Sequence, residues 1–146
     1  MPALFYEHEI KSGLKNRRKL SAFADTLVSR YCKEVVTSTV TYIFCNDEFM
    51  LEMNQNFLDH DTYTDIITFD LSENKREIQG EIYISVPRVK ENAAIFKTTY
   101  QDELHRVIFH GILHLCGFKD KKPKEQKVMR ENEDYCLALY KKELNK

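Results

Sequence analysis

The segment from Val107 to Phe118, VIFHGILHLCGF, constrains the fold of this chain more than any other feature. Within it, only His110 and His114 carry strongly polar side chains. A helix that is apolar on nearly all of its sides is typical of a protein interior, because a helix at the surface has a polar face. The sequence therefore predicts a buried helix, which the rest of the chain must cover.

The rest of the chain alternates between strand-like and helix-like patterns. Its length of 146 residues is close to the modal size of one domain, so we expect a single domain over residues 1–146. Short β-branched and aromatic runs predict strands, and apolar residues at three- and four-residue steps predict helices. The strands are expected at Leu4–Glu9, Ser38–Cys45, Ile66–Asp70 and Gly80–Ser85, and the helices at Leu14–Tyr31, Asp47–Leu58, Pro87–Phe96, Thr99–Gly117 and Lys124–Glu143. The fold class that follows is α+β, or mixed α/β, with about four strands packed with about five helices. In the last helix the residues expected to face inward are Val128, Met129, Tyr135 and Leu139.

The two histidines of the buried segment are candidate metal ligands. His110 and His114 stand four residues apart, so they share one helix face and both can reach one ion. The pair fits equally well two core histidines that are bonded to backbone carbonyls or to a carboxylate. A hydrolytic zinc site needs three protein ligands and an open position for water, and Asp120 follows His114 just beyond the Gly117 turn. Gly111 stands where the HExxH metalloproteases have their Glu, which argues against such a protease.

The same segment resembles the signature of the YbeY family of endoribonucleases, H-G-x-L-H-L-x-G-[YF]-D-H. The resemblance extends upstream to Thr64, Asp65 and Ile66, and to the strand GEIYIS at residues 80–85, in the order of the family. Asp120 stands in the place of the third histidine of the family, and Leu58 stands in the place of an arginine. Three segments in the right order indicate membership of this family.

The resemblance implies a metal-dependent endoribonuclease, a hydrolase that cleaves phosphodiester bonds in single-stranded RNA. It implies one Zn²⁺ per chain, held by His110, His114 and Asp120, with His110, His114 and Asp65 as catalytic residues. Zinc accepts carboxylate oxygen as readily as imidazole nitrogen, although an oxygen ligand also makes Mn²⁺ or Fe²⁺ plausible competitors. The alternative for Asp65 is a turn or capping role before the strand that begins at Ile66.

The resemblance also implies a setting for this activity. It points to ribosomal RNA processing, in particular 16S rRNA 3′-end maturation, and to ribosome quality control. The expected partners are the ribosomal RNA precursor, the small ribosomal subunit and its assembly factors. The alternative is a ribosome-associated assembly or binding factor with a structural metal and little intrinsic catalysis, which the loss of the arginine at Leu58 favours.

The charge of the chain limits how it can bind RNA. A formal net charge of −1 and a sequence pI of about 6.5 argue against a general nucleic-acid binder, so any RNA contact must be local. Lysines that follow the metal motif can neutralise phosphates, or they can form an ordinary solvated face. The candidate RNA-binding residues are Lys119, Lys121, Lys122 and His60. His105 does not share the spacing of the metal pair and is expected at the surface.

The sequence also bears on the compartment. The first ten residues, MPALFYEHEI, lack a basic and apolar secretory signal, and no apolar run approaches the roughly 18 residues of a spanning helix. We therefore expect a cytoplasmic protein that does not contact a membrane.

Overall fold

The structure is a computed structural model that describes residues 3–59 and 62–146. Within these residues four strands form one mixed sheet in the order β1-β2-β4-β3, where β2 runs parallel to both β1 and β4, and β3 runs antiparallel to β4. The strands are β1 (Ala3–Glu7), β2 (Thr37–Cys45), β3 (Ile66–Asp70) and β4 (Glu77–Ser85). The helices are α1 (Arg17–Tyr31), α2 (Asp47–Leu58), α3 (Val86–Ile95), α4 (Tyr100–Leu115) and α5 (Pro123–Leu144). The predicted α+β class, with four strands and five helices, is confirmed.

Helix α4 lies at the centre of the fold, as its apolar sequence predicts. Ile108, Phe109, Ile112 and Leu113 are completely buried. One side of α4 packs against β3 and β4, and α1, α3 and α5 cover its other sides. The Tyr42 hydroxyl of β2 donates a hydrogen bond of 3.0 Å to the Ile108 carbonyl oxygen, which satisfies a polar group in this core.

Two glycines allow α4 to lie unusually close to the sheet. A Cβ atom built on Gly111 would lie 2.6 Å from Cδ1 of Ile82 on β4, and one built on Gly80 would lie 2.7 Å from Cδ1 of Leu115. Real Cβ atoms essentially never come so close to another heavy atom. The small residue between His110 and His114 therefore sets the depth at which the helix holds both imidazoles.

Two element boundaries differ from the sequence prediction by three residues, and the other boundaries differ by less. Helix α1 begins at Arg17 rather than Leu14, because Asn16 and Gly13 have positive φ angles of 58° and 71°, which interrupt the helical path. Strand β4 begins at Glu77 rather than Gly80, since it pairs with β2 along its full length. Gly80 is tolerated inside the strand because Leu115 fills the space of its missing side chain.

The inward face of α5 was predicted incorrectly. Val128 and Tyr135 are 47% and 43% exposed, and Leu139 is half-buried, whereas Met129 is buried as expected. The residues of α5 that are buried are Met129, Glu133, Cys136, Leu137 and Tyr140. The carboxylate of Glu133 lies in the middle of this buried face. The pattern of hydrophobic residues alone therefore predicts the wrong face of α5. Among the helices in the described part of the chain, none combines the length and the apolar character needed to cross a membrane.

Candidate metal centre

An open cleft of about 930 Å³ runs along the exposed side of α4. The walls of the cleft come from β3, the end of α2, the end of α3 and the turn before α5. His110 and His114 both line it, and their ring centroids lie 4.5 Å apart at nearly perpendicular planes. A largely buried helix thus presents two imidazoles to an accessible cavity.

Asp120 meets both histidines through the turn that ends α4. Gly117 adopts a φ of 101°, and the Phe118 amide donates a 3.0 Å hydrogen bond to the Leu113 carbonyl, which folds the chain back over the helix end. The Oδ2 atom of Asp120 then lies 3.2 Å from Nε2 of His110 and 3.2 Å from Nε2 of His114. One ligand atom from each of the three residues lies within 4.8 Å of the others.

The hydrogen bonds at the far side of each ring indicate which nitrogen is free to bind an ion. Nδ1 of His114 lies 2.9 Å from the Phe118 carbonyl oxygen, and Nδ1 of His110 lies 2.5 Å from Oε2 of Glu133. Both acceptors need a proton on Nδ1, so the neutral rings present Nε2 lone pairs to the Asp120 oxygen. A nitrogen lone pair and a carboxylate oxygen that face each other repel unless a cation or a proton lies between them. The donor set therefore fits a divalent metal ion.

The model of the Endoribonuclease YbeY family matches residues 6–141.

This chain belongs to the Endoribonuclease YbeY family.

Relatives named Endoribonuclease YbeY resemble the chain over nearly its whole length. The protein from Cytophaga hutchinsonii is 47% identical over 137 residues, which is 94% of both chains. The protein from Parabacteroides distasonis is 44% identical over 139 residues, which is 95% of this chain and 96% of the relative. The solution structure of TM1509 from Thermotoga maritima matches 97% of this chain and 93% of that chain, with 27% identity and a TM-score of 0.59. The predicted YbeY resemblance is confirmed.

Beside this candidate centre lies a second group of charged side chains, of which Glu103, Arg106 and Glu133 also line the cleft. Arg106 of α4 donates to Oε1 of Glu133 at 3.1 Å and to Oδ1 of Asp134 at 2.7 Å, and its Nε lies 4.0 Å from Oε1 of Glu103. Glu103 and Glu133 are both buried. The sequence does not predict this group, because charged positions on a helix are normally solvated. The three-residue spacing of Glu103 and Arg106 is the only local signal of the group.

The pKa values of His110 and Asp65 are both raised, for different physical reasons. Burial disfavours the charged form of His110, but the hydrogen bond that its Nδ1–H donates to Glu133 and the nearby carboxylates outweigh this effect, so the pKa of this imidazole is raised. Asp65 lines the same cleft at the start of β3, and its Oδ2 atom accepts a 3.4 Å hydrogen bond from Asn92. Burial raises the pKa of the Asp65 carboxyl above its ordinary value, against the opposing effect of His110.

The predicted RNA-binding residues lie in different places. Lys121 lines the cleft, whereas Lys119 lines a separate depression of about 430 Å³ on the other side of the turn. Lys122 is exposed before α5, where its backbone N–H donates to the Glu125 carboxylate at 3.0 Å. His60 lies outside the described residues. The cleft therefore contains one of the three candidates that the structure can place.

The rim of the cleft also carries an aromatic residue that the RNA prediction did not include. Phe96 at the end of α3 is 55% exposed, and the Arg130 guanidinium carbon lies 5.8 Å from its ring centroid. Both residues line the cleft, as does Leu58, which stands in the place of the arginine of the YbeY signature. An exposed aromatic ring beside a cation is typical of surfaces on which unpaired bases stack.

His105 was expected at the surface and is instead buried, with 8% of its surface exposed. Its ring packs edge-on against Tyr140 of α5, with 4.9 Å between the centroids. The expectation was wrong because His105 faces α5, and the last helix covers this side of α4.

Proposed function

We propose that this protein is a single-strand-specific, metal-dependent endoribonuclease whose single Zn²⁺ is held by His110, His114 and Asp120. The observation that carries the proposal is the convergence of two imidazole Nε2 atoms and one carboxylate oxygen at the wall of an open cleft. Membership of a family whose relatives are named endoribonucleases supports RNA as the substrate. Two imidazoles and one carboxylate form a ligand set that hydrolytic zinc sites use, because it leaves a position open for water.

When bound, the zinc ion supplies a Lewis acid that polarises a phosphoryl oxygen and makes a water molecule more acidic. The chain itself supplies the proton acceptor. Asp65 lines the cleft beside His110, and a carboxyl whose pKa is raised by burial can exchange a proton nearer to neutral pH than an exposed one. Asn92 holds the Asp65 carboxylate in place and so orients it towards the cleft.

Substrate binding is attributed to the rim. Lys121 and Arg130 line the cleft and can neutralise phosphates of a strand that passes the metal centre. Phe96 offers an exposed ring on which a base can stack only if that base is not held inside a duplex, which accounts for a preference for single strands. Lys119 and Lys122 contribute less, because neither lines the cleft.

The proposed setting is the cytoplasm, where the protein acts in ribosomal RNA processing at the 3′ end of 16S rRNA and in ribosome quality control. The proposed partners are the ribosomal RNA precursor, the small ribosomal subunit and its assembly factors. This setting rests on the YbeY signature segments in the sequence. A second candidate is an assembly factor with a structural metal and little catalysis, which is favoured by the apolar Leu58 on the cleft wall in the place of the signature arginine.

His114→Ala distinguishes the two candidates. The zinc-loaded protein and the variant are each assayed for cleavage of a single-stranded RNA, a duplex RNA and a single-stranded DNA, and for binding to small ribosomal subunits. We expect the parent protein to cleave single-stranded RNA, and the variant to lose cleavage but keep subunit binding.

Two controls sharpen this test. Asp70→Asn changes another carboxylate on the cleft wall, outside the group of three ligands, and is expected to leave cleavage unchanged. Circular dichroism of each variant establishes that it remains folded. Binding to the subunit without cleavage by the parent protein would favour the assembly factor, and full cleavage by His114→Ala would contradict the proposed centre.

A further inference from the structure

The two candidate histidine ligands are held in place by different means. The Nδ1 atom of His114 faces the Phe118 carbonyl, a backbone group that is fixed by the turn at the end of α4. The Nδ1 atom of His110 faces the carboxylate of Glu133, a side chain from a different helix. An imidazole in mid-helix can flip about its χ2 bond and exchange the positions of its nitrogens and carbons. The orientation of His110 therefore depends on an acceptor that α5 provides.

Glu133 is itself firmly held. The residue is 6% exposed, and its second side-chain oxygen, Oε1, accepts a hydrogen bond of 3.1 Å from Arg106. Arg106 is anchored in turn by Asp134 at 2.7 Å, and Arg130 lies 3.6 Å from the same Oε1 atom. Burial of a carboxylate is unfavourable unless each oxygen has a partner, and here one oxygen is bound to an arginine and the other to His110.

We propose that Glu133 is a positioning residue of the metal centre, whose carboxylate accepts the Nδ1–H of His110 and so directs the Nε2 lone pair towards the ion. This inference rests on the proposed metal centre and adds a residue that does not itself touch the ion. The negative carboxylate also increases the electron density on the ring, which makes Nε2 a stronger ligand. Removal of such an outer hydrogen bond typically lowers metal affinity about 10- to 100-fold.

The test compares substitutions at Glu133 with one at its neighbour. Glu133→Gln keeps the shape and one acceptor oxygen but removes the charge, whereas Glu133→Ala removes both. Asp134→Asn is the matched control, because Asp134 binds the same Arg106 and has no hydrogen bond or ion pair to His110 among the described residues. Zinc affinity is measured by competition with a chromogenic chelator, and the visible spectrum of the Co²⁺-loaded protein reports on ligand geometry.

We expect zinc affinity to fall about 10-fold or more in Glu133→Gln, to fall further in Glu133→Ala, and to stay within about twofold of the parent in Asp134→Asn. The Co²⁺ spectrum should change in the two Glu133 variants alone. Glu133→Gln provides the decisive comparison if the alanine variant does not fold, since its side chain has the same size as Glu. Parent-like zinc affinity and Co²⁺ spectrum in Glu133→Gln would overturn the inference.

Other outcomes separate this inference from the proposed function. An equal loss of affinity in Asp134→Asn and Glu133→Gln would assign the effect to packing of Arg106 and would overturn the positioning role. If the parent protein does not bind one zinc ion per chain, the proposed metal centre is refuted, and this inference is refuted with it. Stoichiometric zinc in the parent together with parent-like affinity in the Glu133 variants would refute the inference alone.

Discussion

His105 illustrates how burial can change the pKa of one residue. Its Nε2 atom is buried and has no hydrogen-bond partner within residues 3–59 and 62–146, as is also true of the Tyr140 hydroxyl beside it. Burial lowers the pKa of this imidazole; Asp102 opposes the shift and Lys141 adds to it. The folded protein therefore holds His105 in its neutral form at pH values where an exposed histidine is partly charged.

His105→Phe should make the protein less sensitive to mild acid. The folded pKa of His105 lies below its unfolded value, so the unfolded chain binds the additional proton as the pH falls below about 6.5. Stability from this residue is complete above that pH and is lost as the pH falls towards the folded pKa. Urea unfolding of both proteins at pH 8.0 and 5.5 measures the difference. An identical loss of stability on acidification in the two proteins would contradict the assignment.

At the scale of elements, the candidate metal centre depends on how closely α4 approaches β4. Gly111 lies between the two histidines in sequence, and it faces Ile82 on the sheet. No side chain fits between the helix backbone and Ile82 without a shift of one of them. The glycine of the signature segment is thus explained by packing of the helix on the sheet rather than by chemistry in the cleft.

Gly111→Ala should destabilise the fold by about 1–3 kcal/mol through overpacking, less the roughly 1 kcal/mol by which Ala favours a helix over Gly. Ile82→Val removes Cδ1, the atom that the new Cβ would meet at 2.6 Å. The double variant Gly111→Ala with Ile82→Val should therefore lose less stability than the sum of the single variants, with a coupling of about 0.5 kcal/mol or more. Chemical denaturation of the four proteins measures this coupling, and strict additivity would argue against the close contact.

At the scale of the whole molecule, the candidate centre joins parts of the chain that unfolding separates. Two ligands come from α4, the third comes from the turn before α5, and α5 supplies the acceptor for His110. The unfolded chain cannot hold these groups together. Zinc should consequently bind the native state far better than the unfolded state and stabilise it by mass action.

Zinc at 100 times its dissociation constant should raise the free energy of unfolding by about 2.7 kcal/mol, which corresponds to roughly 5–10 °C in Tm for a chain of this size. Asp120→Ala should abolish most of this shift at the same zinc concentration, and Asp120→His should retain it because imidazole is an equally good zinc ligand. Differential scanning calorimetry with and without zinc tests both variants. A full zinc shift in Asp120→Ala would exclude Asp120 as a ligand. A single transition in each scan would also agree with one domain over residues 1–146, which stays a prediction.

Local sequence patterns determined most of the architecture. The apolar segment around His110 and His114 predicts a buried helix because almost every position of that helix is apolar, whichever way it is turned. The four-residue spacing places both imidazoles on one face, since that spacing is a property of any helix. The order and type of the elements also follow from the periodicity of the apolar residues, because that periodicity is a local property of the sequence. Element ends were less accurate where a positive φ angle, as at Asn16, interrupts the helical path.

Long-range packing decided the remainder. Glu133 lies 23 residues from His110 along the chain, and only the packing of α5 against α4 brings their side chains together. The hydrophobic pattern of α5 misplaced its inner face because this buried carboxylate is stabilised by Arg106, a partner that local sequence does not reveal. In the same way, the turn at Gly117 decides that Lys121 lines the cleft and Lys119 does not. Periodicity reports which residues share a face, whereas contacts between distant segments decide what that face meets.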